Sequence, residues 1–351
     1  MYNESIINEA LDYTRKAVAD KIAELIEMKK NVTGAYRPLY DILADYPFRK
    51  GKALRPALCV STCRAVGGMG QQALVSSAAV ELYHNGFLIH DDVEDGSENR
   101  RGKKTLHQLI GIPRAVNIGD ATNVLAVSLL LENLNVVGIA KSLHVMHEIE
   151  HMARQSVEGQ SMELDWVANN IFNLGDEDYF RMCTKKTCWY TFIAPLRIGY
   201  IVGNPMWKEH DVVEHLGRLT EFGMALGIAF QIQDDLLNLI GSEAKYGKEI
   251  AGDIYEGKRT IMLNHVIKHA GDQSDQIKRI LTKPRSKKTK KEVQFILDEM
   301  HHRGSIEYGQ NLAKQQAAKA MALFESMDFI LPSSPVTHGE KWDSEFVDRR
   351  F

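Results

Sequence analysis

The sequence has little of several features that would place it in a specialised class of protein. Its 351 residues include only 9 prolines and 4 cysteines, and 43 Lys and Arg nearly balance 46 Asp and Glu. This composition excludes intrinsic disorder, a collagen-like fibre and a disulfide scaffold. The net charge of -3 argues against a nucleic-acid-binding protein, because no cationic excess is available to neutralise phosphates.

Long apolar runs and paired metal-ligating cysteines are also missing from the sequence. The longest apolar run, near Val124–Leu131, is far shorter than the ~20 residues that span a bilayer, so we expect no transmembrane segment. The first residues carry acids and no apolar core, which predicts no signal peptide and a cytoplasmic location. Since the cysteines form no CxxC pair, we expect buried reduced thiols and no zinc site.

What the sequence does contain is helical periodicity. Apolar residues recur three and four positions apart over Ile6–Met28, Val75–Ile89 and Leu216–Ile240, which predicts long helices. Clean alternation with a period of two is almost absent, so we predict an all-α protein with a single domain over residues 1–351. The basic segment Lys283–Lys291 is expected to be a solvated turn between two helices.

The first cluster of candidate functional residues is the acidic run that contains Asp91, Asp92 and Asp95. Residues four apart on a helix share a face, so Asp91 and Asp95 are expected to project together. Oxygen ligands at this spacing suit Mg²⁺ better than zinc or copper. Taken alone, the run is equally consistent with a solvated acidic helix end.

A second polar stripe strengthens the magnesium interpretation. Gln231, Asp234, Asp235 and Asn238 follow one another at helical spacing in an otherwise apolar segment. Carboxylates on such a helix are costly to bury without a counter-charge. Two acidic stripes that faced each other across a cavity would hold divalent metal and provide a seat for a diphosphate.

Basic residues near both clusters suit the same ligand. Arginine binds phosphate through a planar fork and lysine acts as a point charge. Each cation alone is better explained by an ordinary surface position, and only the whole set favours a phosphate ligand. The candidates are Lys52 and Arg55, Arg100 and Arg101, Lys186 beside Thr187, and Lys248 and Lys258.

In these motifs the sequence resembles the trans-isoprenyl diphosphate synthases (polyprenyl synthetases), and most of all those that make geranylgeranyl diphosphate. The resemblance runs in family order over about residues 48–262. It is carried by GKALRP from Gly51, His84 ahead of DDVEDGSENRRG from Asp91, AVNIGD from Ala115, Gly159-Gln160, Lys186-Thr187, FQIQDD from Phe230, and the stretch Gly247–Lys258.

The resemblance implies an isoprenoid-synthase helical bundle, usually a homodimer, with a deep central cavity. It implies Mg²⁺ as cofactor, three ions with bound diphosphate, held by Asp91, Asp95 and Asp234 with support from Asp92 and Asp235. The allylic diphosphate would contact Arg100, Lys186, Thr187, Gln231, Lys248 and Lys258. Isopentenyl diphosphate, the second substrate, would contact Gly51, Lys52, Arg55, His84 and Arg101. The acidic residues together with Lys186 and Lys258 form the implied catalytic set.

Product length is expected to depend on residues that precede Asp91 on the same helix. Phe87 and Tyr83 lie one and two turns before it, at ~5.4 Å per turn, and Gly86 is expected to open space beside them. This arrangement favours a four-unit product, geranylgeranyl diphosphate, with farnesyl or longer products as alternatives. The family commonly has a carboxylate where this chain has Asn238, so tuning of the metal site is expected. The Arg349-Arg350 tail is interpreted as a charged chain end or as a closing segment.

Three other functions compete with the synthase interpretation. A class I terpene cyclase uses similar metal chemistry on one substrate, but the second motif lacks its Ser/Thr and Glu spacing. A head-to-head condensing enzyme would have no need of the second cationic set. A non-catalytic subunit of a prenyl synthase complex would typically have lost an acidic motif, whereas both are present here.

Overall fold

The computed structural model describes residues 4–49, 51–205, 209–241 and 250–330. Within these ranges the helices are α1 Glu4–Lys30, α2 Arg37–Leu43, α3 Leu54–Ala65, α4 Leu74–Glu94, α5 Leu106–Ile110, α6 Ile112–Val136, α7 Gly138–Ala168, α8 Asp176–Cys183, α9 Ala194–Gly203, α10 Glu209–Ile240, α11 Gly252–Glu256, α12 Ile261–His269, α13 Ser274–Leu281, α14 Lys290–His302 and α15 Ser305–Glu325. A π-helical segment, Thr184–Ile193, precedes α9.

The prediction of an all-α protein is confirmed. Each of the three segments with strong apolar periodicity lies within a helix, namely α1, α4 and α10. In the described part of the chain, strand structure is confined to a short antiparallel hairpin, β1 Asn99–Arg100 with β2 Lys103–Lys104. Sequence periodicity did not predict this hairpin, because two-residue strands are too short to show alternation.

The helices divide into two compact units, each assembled from separate stretches of chain. In the first unit, residues 4–153, 190–220 and 326–330, α4 packs against α6 and α3 packs against α9. In the second unit, residues 154–189 and 221–325, α12 packs against α15. All four cysteines are buried and free, which confirms the prediction of buried thiols. The assignment of the whole chain to one domain stays a prediction.

Helix α6 is the most apolar long helix of the first unit. By length and composition it meets the criteria for a membrane-crossing segment, and 44% of its most apolar window is buried inside the structure. Buried core helices of soluble proteins meet the same criteria, so this property alone carries little weight. The expectation that the chain has no transmembrane segment therefore stays a prediction.

Candidate active site

The first acidic cluster lies at the C-terminal end of α4. Asp91 and Asp92 occupy the last turn, and Asp95 is the residue that follows the helix, still in right-handed helical conformation. The backbone N–H of Asp95 donates to the carbonyl of Asp91 at 2.9 Å, which keeps the two residues one turn apart. Negative side chains are unfavourable at this end of a helix dipole, so the cluster needs a cation nearby.

Arg100 supplies that cation from the hairpin that follows α4. Its guanidinium donates to Asp92 Oδ1 at 2.5 Å through Nη2 and at 2.9 Å through Nε, and Nη2 lies 3.4 Å from Asp91 Oδ2. Burial is the largest single influence on the pKa of Arg100 and lowers it, but the charge and hydrogen bonds of Asp92, together with the charge of Asp91, raise the pKa overall. The arginine is thereby kept charged beside the cluster.

Asp92 is a buried structural partner rather than an open ligand. Its side chain is 1% exposed, and the hydroxyl of Tyr46 donates to Asp92 Oδ2 at 2.6 Å. Burial and the negative charge of Asp92 both raise the pKa of Tyr46, so the phenol remains a proton donor. The residue in the middle of the acidic run therefore ties α4 to the hairpin and to Tyr46.

Asp91 and Asp95 present the oxygen donors that suit Mg²⁺. Both side chains are partly exposed, Asp91 by 24%. Among the described residues, no group of three or more His, Cys, Asp or Glu side chains is arranged to hold a metal ion. Mg²⁺ is commonly bound by one or two carboxylates, with waters and substrate phosphates completing its shell. A carboxylate pair therefore fits an ion that arrives with a diphosphate.

The second cluster lies on α10 and is linked by a chain of hydrogen bonds. The Thr187 hydroxyl donates to Gln231 Oε1 at 2.9 Å, and Gln231 Nε2 donates to Asp235 Oδ1 at 2.8 Å. The Tyr179 hydroxyl donates to the other oxygen of Asp235 at 2.7 Å. Burial raises the pKa of Asp235 to about 7, against the opposing effect of these hydrogen bonds. Asp235 is therefore a supporting residue, and the partly exposed Asp234 is the better metal ligand.

Asn238 has a local structural function in this cluster. Its side-chain Oδ1 accepts a hydrogen bond from the backbone N–H of Asp253 at 3.1 Å, and its backbone carbonyl accepts from Ala251 at 2.6 Å. An asparagine here fixes the start of α11 against the end of α10. This contact gives the asparagine a role that does not depend on metal.

Lys186 projects from the π-helical segment and forms an ion pair with Glu163 of α7. Helix α7 comes so close that a Cβ at Gly159 would lie 2.2 Å from the backbone nitrogen of Lys186. Only glycine permits this approach, which explains the Gly159-Gln160 motif. Single-turn π-bulges often occur at functional sites, where they change the direction of side chains; here a longer π-helical segment carries both Lys186 and Thr187.

Lys258 follows α11 and is also held by an acidic side chain. Its Nζ lies 2.9 Å from Glu256 Oε2 and 4.0 Å from Asp253 Oδ1. Gly257, between the helix and the lysine, has φ +75°, a conformation that favours glycine. Three other candidate cations, Lys248, Arg349 and Arg350, lie outside the described residues.

The first unit contains a separate cationic cluster near the start of α3. A Cβ at Gly51 would lie 3.0 Å from the guanidinium carbon of Arg101, so this glycine leaves room for the arginine. Arg101 donates to the carbonyl of Arg49 at 3.3 Å. Burial is the main cause that lowers the pKa of Arg101, and the charge of Arg55 adds to it. Lys52 is exposed just ahead of α3.

Tyr190 links this cationic cluster to the aromatic face of α4. Its ring lies 4.6 Å from the Arg55 guanidinium and stacks on His84 at 5.6 Å between centroids. Phe87 meets the same ring edge-on at 5.8 Å, and Tyr83 lies 6.1 Å from Phe87. The predicted substrate residues and the predicted chain-length residues are therefore neighbours through one aromatic side chain.

Gly86 is placed differently from the sequence expectation. A Cβ at this position would lie 2.3 Å from the side-chain oxygen of Asn123 on α6. The glycine thus allows α4 and α6 to approach closely, and its absent side chain is directed at a neighbouring helix. Its predicted part in product length stays a prediction.

Sequence reasoning missed the residues that neutralise or orient the predicted ones. Tyr46, Tyr179 and Glu163 lie outside the motifs and each pairs with a predicted residue that is distant in sequence. Glu256 lies within the stretch Gly247–Lys258, but its pairing with Lys258 was not predicted. Glu81 is a further case, with a raised pKa caused by burial and countered by Arg55 and Arg101. Its position three residues before His84, on the same face of α4, was the one available signal.

Comparison with known proteins agrees with this geometry. A sequence profile of the polyprenyl synthetase family matches residues 37–300. The geranylgeranyl diphosphate synthase of Saccharolobus solfataricus is 36% identical over 277 residues, which cover 77% of this chain and 78% of that protein. The octaprenyl diphosphate synthase of Escherichia coli is 30% identical over 285 residues, 81% of each chain. The similarity therefore includes enzymes named for products of different length.

Solved structures show the same fold. The crystal structure of a polyprenyl synthase from Caulobacter crescentus, complexed with calcium and isoprenyl diphosphate, has a TM-score of 0.80 to this chain. The two sequences are 26% identical, and the match covers 98% of both chains. Similarity at the level of fold therefore extends along nearly the whole sequence.

Proposed function

This chain belongs to the polyprenyl synthetase family and is an isoprenyl diphosphate synthase; we propose that it joins isopentenyl diphosphate head-to-tail to an allylic diphosphate. The allylic substrate carries one to three isoprene units, and the main product is geranylgeranyl diphosphate. The proposal assigns the two acidic clusters and their lysines to the allylic diphosphate, and the cluster around Arg55 and Arg101 to isopentenyl diphosphate.

One observation carries the proposal: the first unit alone contains two different chemistries for binding phosphate. Asp91 and Asp95 form a carboxylate pair that requires a cation before it can bind an anion. Arg55 and Arg101 lie close enough for their charges to interact, and such a pair of guanidinium groups can bind an anion without metal. Two such subsites indicate two diphosphate substrates, one bound with metal and one bound by arginine. A terpene cyclase, with one diphosphate, needs only the first.

We propose Mg²⁺ as the cofactor, with Asp91 and Asp95 of α4 as ligands; the family resemblance implies Asp234 as a further ligand. The donor set consists of carboxylate oxygens, which suit a hard divalent cation, and the Caulobacter enzyme was solved with calcium. When bound, the metal supplies positive charge that stabilises the leaving diphosphate. The resemblance implies three ions with bound substrate.

The chain's own groups supply positioning and electrostatic stabilisation. Lys186 and Lys258 are released from their carboxylate partners to contact the allylic diphosphate, and Arg100 holds the acidic cluster in place. The allylic carbon–oxygen bond breaks, the alkene of isopentenyl diphosphate forms a bond to the allylic carbon, and a proton passes to the departed diphosphate. Preorganised charges of this kind lower the barrier without a protein nucleophile. Apolar and aromatic walls exclude water from the developing cation.

Product length is proposed to depend on Phe87. Its ring lies beside those of Tyr83 and Tyr190, and these contacts support its proposed function as the barrier one turn before Asp91. Phe87→Ala is expected to shift the product toward longer chains, because removal of the ring leaves more depth for the growing prenyl chain. The measurement is the chain length of products from each allylic primer.

Leu88→Ala provides the matched control, since Leu88 projects ~100° away from Phe87 around the same helix. Longer products from Phe87→Ala but not from Leu88→Ala would support the assignment. An unchanged product from Phe87→Ala would contradict it.

A second copy of the chain is the proposed partner of the exposed apolar stripe on α6 and α7. Val124 is 69% exposed, Leu131 53% and Ile139 70%. Val124 and Leu131 lie two turns apart on the same face of α6. Apolar patches of this kind mark association surfaces, and the family resemblance implies a homodimer. A cytoplasmic location is part of the same proposal.

Light scattering of the purified chain tests the dimer. Val124→Glu is expected to give a monomer, because it places a charge in an apolar interface. Val213→Glu is the control, since Val213 is 68% exposed on another helix. A wild-type monomer, or a Val124→Glu dimer, would contradict the proposal, as would association with lipid vesicles in place of self-association.

Separate Michaelis constants test the assignment of substrates to subsites. Arg55→Gln is expected to raise the KM for isopentenyl diphosphate about tenfold or more, the cost of a charged hydrogen bond, with little change for the allylic substrate. Asp91→Asn is expected to lower kcat and to weaken binding of the allylic substrate. Arg64→Gln on the same helix as Arg55 is the control. Equal effects of Arg55→Gln on both substrates would refute the two-subsite assignment.

A further inference from the structure

The basic segment Lys283–Lys291 is not a simple solvated turn. Lys288 is 7% exposed, and its Nζ donates to the backbone carbonyl of Tyr255 at 2.7 Å. Arg285 Nη1 lies 2.9 Å from Glu256 Oε1. The expectation of a solvated turn holds for Lys287, which is exposed, and is wrong for Lys288. Two cations of the segment thus hold the end of α11.

Glu256 is shared between this segment and Lys258. One carboxylate oxygen faces Arg285 and the other lies 2.9 Å from Lys258 Nζ. The Glu256 side chain is 13% exposed, and Arg285 is 28% exposed. Since charges interact more strongly away from bulk water, the position of Lys258 depends on what else neutralises Glu256.

We propose that Arg285 is a positioning residue for Lys258 and that it acts through Glu256. The inference rests on the proposed function, in which Lys258 binds the allylic diphosphate. When the diphosphate arrives, Lys258 must leave Glu256, and Arg285 remains to neutralise the carboxylate. Without Arg285, Glu256 would keep Lys258 more tightly and would repel the incoming phosphates.

The arrangement predicts a selective effect on one substrate. Arg285→Met is expected to raise the KM for the allylic diphosphate about two- to fivefold, the upper part of the range for a solvent-accessible ion pair. The KM for isopentenyl diphosphate is expected to stay unchanged. Arg285→Lys is expected to keep the KM for the allylic diphosphate close to the wild-type value, because lysine retains the positive charge although it lacks the planar fork.

Lys287→Met is the matched control, because it removes the same charge from an exposed position in the same segment. Coupling gives a second readout: with Glu256→Gln as background, Arg285→Met is expected to have little further effect, since the carboxylate that it neutralises is gone. Full-length protein is used throughout, and thermal unfolding checks that every variant is folded.

The outcomes separate this inference from the proposed function. If Lys258→Met leaves the allylic KM unchanged, the assignment of Lys258 to that substrate is wrong, and the inference about Arg285 is refuted with it. If Lys258→Met raises that KM but Arg285→Met behaves like Lys287→Met, only the positioning role is refuted. The positioning role would also be overturned if Arg285→Met raised the KM values of both substrates. It would be overturned as well if Arg285→Met raised the allylic KM by the same factor in the Glu256→Gln background.

Discussion

At the scale of single residues, the acidic run on α4 divides into residues with different tasks. Asp92 is buried and bonded to Arg100 and Tyr46, whereas Asp91 and Asp95 are partly exposed. The sequence places all three together and cannot show this division, because Tyr46 is 46 residues away. The same holds for Asp235, whose partner Tyr179 is 56 residues away. Spacing along a helix reveals which side chains share a face but not which partners come from elsewhere.

The division predicts opposite results for two conservative substitutions. Asp92→Asn is expected to lower the free energy of unfolding by about 3 kcal/mol, because it leaves the buried Arg100 without its main counter-charge. Asp95→Asn is expected to change stability by less than about 1 kcal/mol while it strongly lowers activity. Urea denaturation and turnover of the same preparations measure both effects. Equal loss of stability in the two variants would contradict the division.

At the scale of elements, the long helices could be predicted, but their close contacts could not. Periodicity predicted the helical segments that lie within α1, α4 and α10. The π-helical segment and the docking of Lys283–Lys291 were not predicted, since neither leaves a periodic signal. Gly159 is the exception that the sequence did flag: its motif marks the place where α7 meets the backbone of Lys186.

Gly159→Ala tests that contact. Its Cβ would fall 2.2 Å from the Lys186 nitrogen and 2.7 Å from the Lys186 Cα, so backbone must move, at a cost of about 1–3 kcal/mol in unfolding free energy. Gly217→Ala is the control, because nothing lies within 4 Å of its Cβ. In a helix interior that change is expected to stabilise by about 0.5–1 kcal/mol. Stabilisation by both substitutions would disprove the close approach.

Lys288 gives the docked segment a pH signature. Burial is the main cause that lowers its pKa to about 8, aided by Arg259 and Arg285 and opposed by Glu256. A base with a lowered pKa in the folded state destabilises that state while it is charged. Between about pH 8 and 10.4 the unfolded chain holds the proton that the folded chain has lost, so this residue's contribution to stability rises with pH.

Chemical denaturation at several pH values measures this contribution. Between those pH values, the free energy of unfolding is expected to rise by about 1–3 kcal/mol less in Lys288→Met than in wild type. The curve of Lys287→Met is expected to run parallel to wild type. A wild-type curve that runs parallel to that of Lys288→Met would show that Lys288 has an ordinary pKa.

At the scale of the whole molecule, the all-α fold is shown, whereas two separate ways of binding a diphosphate within it are our proposal. Family membership and fold follow from ordered motifs that span most of the sequence, and the comparisons confirm both. The assignment of the two substrates needs more than the motifs, because it depends on the chemical difference between a carboxylate pair and an arginine cluster. Product length depends on finer detail still, the depth at which one aromatic ring is held, and the relatives include enzymes named for different products.

The most direct test of the central claim is a condensation assay with purified protein, Mg²⁺, radiolabelled isopentenyl diphosphate and each allylic primer in turn. The account predicts that label enters a longer prenyl diphosphate only when both substrates are present, with geranylgeranyl diphosphate as the main product. Failure of folded protein to incorporate label with any primer would contradict the account and favour a non-catalytic subunit. Products formed from an allylic diphosphate alone would contradict it in favour of a cyclase or a head-to-head enzyme.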